Sequence, residues 1–345
     1  MKQFFFALIF SLMAICGYAQ QAPIMVCNSS GTVCMPYYVL TDAVTAALPG
    51  SYIYVPGGSF SLGAIINKEL HFIGAGHYPD STHITGVSSI TGTLTIDTGC
   101  SNSSFEGLYI SHVSVPAANG GGIVNNISFT RCNIPNLYLN NSEPYVYSYS
   151  VSCNSSLFKD CVFNQFMPLC TNCTINNCIL TGGLQNINSS TVNNCVIFSS
   201  FYYNPYGGGT SGNNIVKNNI FDSLDITGSY LCSSCILTNN LTTSSSLSLP
   251  GATLETGTMV NVPISNLFAN ATTVGFDYTK DFHLKSTSPG HNAGDDGTDV
   301  GIYGSGTPYA PDGVPSNPHF YYQSVSGITD TMGNLPVHIK VRASY

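Results

Sequence analysis

Few side chains in this sequence can move a proton. Between residues 60 and 270 the only Lys and Arg are Lys68, Arg131, Lys159 and Lys217. Lys159 is followed directly by Asp160, which places a base and a carboxylate together, the minimum for acid–base chemistry. Asp295, Asp296 and Asp299 put three carboxylates in five residues. Such a group offers oxygen ligands to calcium, or serves as turn and cap residues beside Gly294 and Gly297. Cys170 and Cys173, like Cys232 and Cys235, are pairs spaced by two residues, a spacing shared by core packing, disulfides and metal sites. Cys27 and Cys34 flank a Ser-Ser-Gly turn and are the best disulfide candidate. Tyr138, Tyr145, Tyr147 and Tyr149 form one aromatic group, and Phe201, Tyr202, Tyr203 and Tyr206 a second. Such rings stack on sugar faces when exposed, or bury against a flank when folded down.

The elements that position these residues must suit an unusual composition. Of 345 residues only 8% are charged, with a formal charge of -8, against about 25% charged in typical soluble domains. Disorder does not explain this, since 43% of the residues are hydrophobic and 21 are Tyr. The 34 Gly follow no collagen period. A net negative chain without a basic cluster argues against nucleic acid as a partner.

Lys2, an apolar run from Phe4 to Ile15 and Gly17-Tyr18-Ala19 read as a signal peptide over residues 1–19. No later apolar run has membrane-spanning length. The expected product is secreted, or cell-surface or periplasmic, and the oxidising destination suits the cysteines that remain.

Internal repeats decide the fold. Six segments share one pattern: Phe129-Thr130-Arg131-Cys132, Phe158-Lys159-Asp160-Cys161, Ile175-Asn176-Asn177-Cys178, Val192-Asn193-Asn194-Cys195, Val216-Lys217-Asn218-Asn219 and Leu237-Thr238-Asn239-Asn240. The intervals between their last residues are 29, 17, 17, 24 and 21, so the strands are regular and the loops are not. Short β-prone runs broken by Asn, Gly and Ser suit coils stacked as parallel strands. Stacking also accounts for the missing charge, because like residues lie about 4.8 Å apart and a column of equal charges repels.

Alternation puts the fourth repeat position inside, as a column of Cys132, Cys161, Cys178 and Cys195. The third then faces outward, with Arg131 and Asp160 in one column on adjacent coils, either as a site or as a surface ion pair worth little. Both tyrosine-bearing insertions are expected to leave just after Cys132 and Cys195, three coils, or roughly 14 Å, apart.

The predicted fold class is all-β, a parallel β-helix solenoid with a short N-terminal capping helix and a C-terminal β tail. The expected organisation is a cap over residues 20–50, a β-helix over 51–304, and a Pro/Gly-rich linker with a terminal hairpin over 305–345. Thr41 is expected to N-cap the helix through Asp42 to Leu48. The hairpin is expected from Val325 to Val341 around Gly333-Asn334.

Three segments resemble the pectin-lyase-like superfamily: Asp42-Ala43-Val44 through Leu48-Pro49-Gly50 to Ile73-Gly74, the Asn-Asn repeats, and Asp281-Phe282-His283-Leu284 through Asn292-Ala293-Gly294 to Asp299-Val300-Gly301-Ile302-Tyr303. The last resembles the final coil of exported bacterial members. The resemblance implies a right-handed parallel β-helix and an association with polysaccharides, and leaves activity open. Lyases of the family use a basic residue with calcium-holding carboxylates, which points to Arg131, Lys159 and Asp160. Its hydrolase signatures have only scattered echoes here, in Gly290-His291, Asp295-Asp296 and Lys340-Val341-Arg342, in the wrong order. The expectation is a protein that binds polysaccharide or a surface glycan, with no required cofactor and calcium compatible. A polysaccharide lyase or glycoside hydrolase is the first alternative, and a structural or adhesive surface protein the second.

Overall fold

The computed structural model describes residues 22–114, 122–138, 151–167, 170–182, 184, 187–198, 212–222, 234–247 and 253–343. The expected signal peptide lies outside these residues.

The protein is a parallel β-helix. Its longest sheet stacks ten parallel strands from Ser51–Tyr54 to Leu254–Thr256. A second sheet runs from Gly58–Ser61 to Leu241–Thr242, and a third holds Gly122–Asn125, Val151–Asn154, Cys170–Thr171 and Ile187–Asn188. In the first sheet Phe72, Phe105, Phe129 and Phe158 lie in register and continue as Ile175, Val192, Val216 and Leu237. The four rings stack with centroids 4.8 to 5.9 Å apart and planes within 13°, which fills the interior with one ring per coil.

Each central coil of this sheet is one short module. A left-handed residue precedes the strand and another follows it: Asn126 and Arg131, Ser155 and Asp160, Asn172 and Asn177, Ser189 and Asn194, Asn213 and Asn218, Ser234 and Asn239, all with φ between 47° and 63°. One left-handed residue turns the chain sharply enough to leave the sheet, and Asn and Asp reach that conformation at lower cost than other side chains. This explains the Asn-rich repeat.

The residue after the second turn is the inward Cys or Asn. Asn219 accepts from the Cys195 amide at 2.8 Å and donates to the Val192 carbonyl at 3.0 Å, bridging its coil to the one before. Cys161 does the same with sulfur, accepting from the Cys132 amide and donating to the Phe129 carbonyl, both at 3.4 Å. Cysteine and asparagine share the column because each offers an acceptor and a donor in a small volume.

The N-terminal end is closed by an antiparallel hairpin, Ile24–Cys27 with Cys34–Tyr37, whose Cys27 and Cys34 are in register and joined by a disulfide. The helix Leu40–Ala46 buries Leu40, Ala43 and Val44. Thr41 does not cap it: Val39 holds that position without a side-chain bond, and the Thr41 hydroxyl instead accepts from the Gly63 amide at 2.9 Å. Tertiary docking has taken the hydroxyl that local capping would use.

At the other end, the parallel ladder stops at Leu254–Thr256. The segment expected to finish a last coil instead pairs Phe268–Asn270 with Asp281–Leu284 antiparallel, then runs back down the outside of the stack. Residues 290–316 form a strap over the second turn column. Asn239 donates to the Ala293 carbonyl, Asn218 to the Asp295 carboxylate, Asn194 to the Gly301 carbonyl and Asn177 to the Ile302 carbonyl, at 2.6 to 3.1 Å. The third repeat position is therefore not a solvent-facing column. It points away from the coil interior but is buried, with Asn177 and Asn194 at 0% exposure. Gly304 must be glycine, since a Cβ there would overlap the Asp299 carbonyl. Beneath the strap lies a second apolar core, where Val162, Ile179, Val196, Ile220 and Leu241 meet Val300 and Ile302. A two-stranded ribbon, His319–Val325 with Val337–Arg342, ends the described chain; it starts earlier than the expected hairpin.

Asn219→Ala leaves the buried Cys195 amide without its acceptor and removes one donor from the Val192 carbonyl, and should cost about 1–3 kcal/mol in urea unfolding. A loss below about 0.5 kcal/mol would contradict the bridging role.

Candidate functional site

Arg131, Lys159 and Asp160 come together, as the repeat alignment predicts, but not on an open surface. The second turn column carries Arg131 and Asp160 under the strap, and Lys159 ends the strand before Asp160. Between this wall and the strap lies a cavity of about 590 Å³, lined by these three residues, the 306–312 segment and Arg342. Arg342 arrives on the last strand of the ribbon and lies 3.7 Å from Asp312.

Arg131 works mainly as an anchor. Its Nη1 donates to the Val314 carbonyl at 3.0 Å, and Glu106 and Asp160 each lie 4.0 Å from the guanidinium. It is a buried group between two carboxylates and not the surface ion pair allowed by the sequence. The cost of holding Arg in a left-handed turn is offset by this strap contact. Glu106 also accepts from the Ser316 amide and hydroxyl at 2.9 and 3.1 Å, so the same region fastens the strap twice.

Asp160 is 2% exposed. Burial pushes its carboxyl up to about 7, against the opposing pull of Lys159 and then Arg131. Its Oδ1 has no hydrogen-bond partner. A carboxyl that titrates near neutrality, beside a lysine and in a cleft wall, can give or take a proton. Lys159 and Arg342 are the accessible cations of the cleft, and they suit a carboxylate-bearing ligand.

The other candidate residues lie elsewhere. Asp295 accepts from Lys217 and Asn218 at 2.8 and 2.6 Å, and Asp296 from the Thr298 amide and hydroxyl. Asp299 accepts from the Asn292 amide and pairs with His291 at 2.8 Å. Asp296 and Asp299 close local turns, Asp295 ties the strap to the coils, and the three do not converge. Among the described residues, the one group of His, Cys, Asp or Glu close enough to share a metal is Cys153, Cys170 and Cys173.

Tyr138 is half-buried, 5.1 Å from the His112 ring, and does not line the cleft. Tyr145, Tyr147, Tyr149, Tyr202, Tyr203 and Tyr206 lie outside the described residues. The second-sheet strands Asn133–Tyr138 and Val196–Ile197 follow Cys132 and Cys195, so the chain stays in the coil past the expected exit points.

Sequence reasoning missed Asp312, Tyr309 and Arg342 as cleft residues. The available signal was the Pro/Gly-rich run to Pro318: an extended chain with few bonds of its own needs a wall to lie on. Next to the cleft, Tyr309 meets Tyr78 hydroxyl to hydroxyl at 2.8 Å. Gly313 packs on His77, whose imidazole burial holds down to about 3 and therefore neutral.

The fold and cleft together define a parallel β-helix with a mixed-charge cleft under a C-terminal strap. No protein-family model matches the chain, and no curated protein matches it. Seven solved chains are similar in structure. One is the crystal structure of pectate lyase Pel9A, 13% identical, covering 75% of this chain and 89% of that chain with a TM-score of 0.38. A likeness of that size carries no argument about activity. Among the described residues, no helix is long and apolar enough to cross a membrane.

The Asp160 pKa fixes a pH dependence. In the unfolded chain the carboxyl ionises near 3.8, whereas in the fold it keeps its proton to about 7. Unfolding therefore releases a proton in this window, and the site's contribution to stability falls as pH rises from about 4 to about 7. Asp160→Asn, which supplies the residue found at the next coils, should raise stability by about 2–4 kcal/mol at pH 8 and flatten that slope. Unchanged stability and slope in urea titrations at both ends of the window would contradict it.

Proposed function

We propose that this chain is an exported β-helix protein that binds an acidic polysaccharide or surface glycan in the cleft between the Lys159 edge and the strap. The observation that carries this reading is the placement of Lys159 and Arg342 in one cavity of about 590 Å³, in a chain with only 9 Lys and Arg. A sugar carboxylate would lie against these two cations, while Arg131 holds the floor. The tyrosines of the insertions are proposed independently of the cleft as sugar-stacking faces. Calcium would enter only as a counter-ion carried with the acidic glycan, because the cleft carboxylates Asp160 and Asp312 each already face a cation.

A second reading rests on Asp160. A carboxyl poised near neutrality next to Lys159 suits proton transfer in a polysaccharide lyase or glycoside hydrolase. It predicts release of new sugar ends, lost in Asp160→Asn with the fold retained. If neither binding nor release occurs, a structural or adhesive solenoid is left.

Residues 20–345 should bind polygalacturonate but not dextran, more weakly as salt rises. Lys159→Ala should weaken binding about 10- to 100-fold, the worth of one charged hydrogen bond. Equal affinity for both glycans, or no effect of Lys159→Ala, would overturn the proposal.

A further inference from the structure

Eight cysteines among the described residues are free, and all are buried. Cys132, Cys161, Cys178 and Cys195 are explained as bridging residues of one turn column. Cys173 is likewise a bridging residue, in the first turn column, but Cys153 and Cys170 belong to neither turn column and bring two further sulfurs to it. Cys153 and Cys170 are opposite each other in the third sheet. Cys173 comes from the turn that leads into the first sheet and lies close to the Cys153 and Thr171 carbonyls, both 3.5 Å away. Two walls of the coil thus send three sulfurs to one point, and all lie within 4.8 Å of one another.

Sulfurs sharing one metal at a bond length near 2.3 Å stand roughly 3.8–4.0 Å apart. The cluster needs to contract by less than about 1 Å to reach that spacing. No residue of the trio is more than 2% exposed, so water does not compete for the site, and soft thiolate donors select soft d10 ions. We propose that Cys153, Cys170 and Cys173 form an interior binding site for a thiophilic d10 metal ion, copper(I) in the first instance. Two thiolates and one retained thiol around copper(I) release two protons and leave one negative charge. Zinc needs a fourth ligand, and the cluster has no fourth Cys, His, Asp or Glu among the described residues. Because all three sulfurs are buried, the ion enters as the coils close and not by diffusion into the finished fold.

The test is refolding of residues 20–345 without oxygen, in separate samples with copper(I) and with zinc(II), followed by desalting and metal analysis. The expected result is one copper per chain, a higher melting temperature, and a drop to background in Cys173→Ser while Cys178→Ser still retains the ion. X-ray absorption of the copper-loaded wild type, which needs no variant, should show sulfur neighbours only, near 2.3 Å. Wild type that retains no metal, a Cys153–Cys170 disulfide in its place, full retention by Cys173→Ser, or a nitrogen and oxygen shell would each overturn the proposal. Zinc retained in preference to copper would overturn the choice of ion and with it the three-sulfur coordination.

Discussion

The structure depends on a single left-handed residue at each end of every first-sheet strand in the central coils. A three-residue strand between two such turns keeps the coils short and in register, and leaves the same polar groups in the same place on every coil. Once the turns are fixed, two demands follow. The inward residue after the turn must bridge to its neighbouring coil, which selects Cys, Asn or Ser. The turn side chain itself points away from the interior, and a stack of such amides needs partners of its own.

The strap supplies them. Its carbonyls and Asp295 accept from the Asn column, and its Val300 and Ile302 cover the apolar residues that begin the second-sheet strands. This is the reason charge is scarce: a column that is buried twice, by stacking and by the strap, tolerates neutral amides far better than ions. The exception is the pair Arg131 and Asp160, where the pattern is broken by ionisable groups. Breaks in an otherwise consistent pattern are where function is expected, and here the break coincides with the cleft.

Much of this was legible in the sequence. The repeat at Cys132, Cys161, Cys178 and Cys195 named the parallel β-helix and the inward column, because a period survives without knowledge of partners. The neighbourhood of Arg131, Lys159 and Asp160 was legible for the same reason. Their burial was not, since it depends on a segment 150 or more residues downstream whose Gly and Pro carry no period. Nor was the trio of cysteines: Cys170 and Cys173 show a spacing, but Cys153 joins them only through the register of the third sheet. Thr41 illustrates the opposite failure, a local signal overruled by a tertiary contact.

The central claim is that the strap is an integral wall of the β-helix and of its cleft. Amide hydrogen exchange on the intact protein tests it most directly. The Gly301 and Tyr309 amides, which bond to Asn218 and Ile302 carbonyls at 2.7 and 2.8 Å, should exchange as slowly as Ile179 and Val196 in the coils, through one shared opening. Rapid exchange along the strap, with the coils still protected, would show a loosely attached tail and would contradict the account.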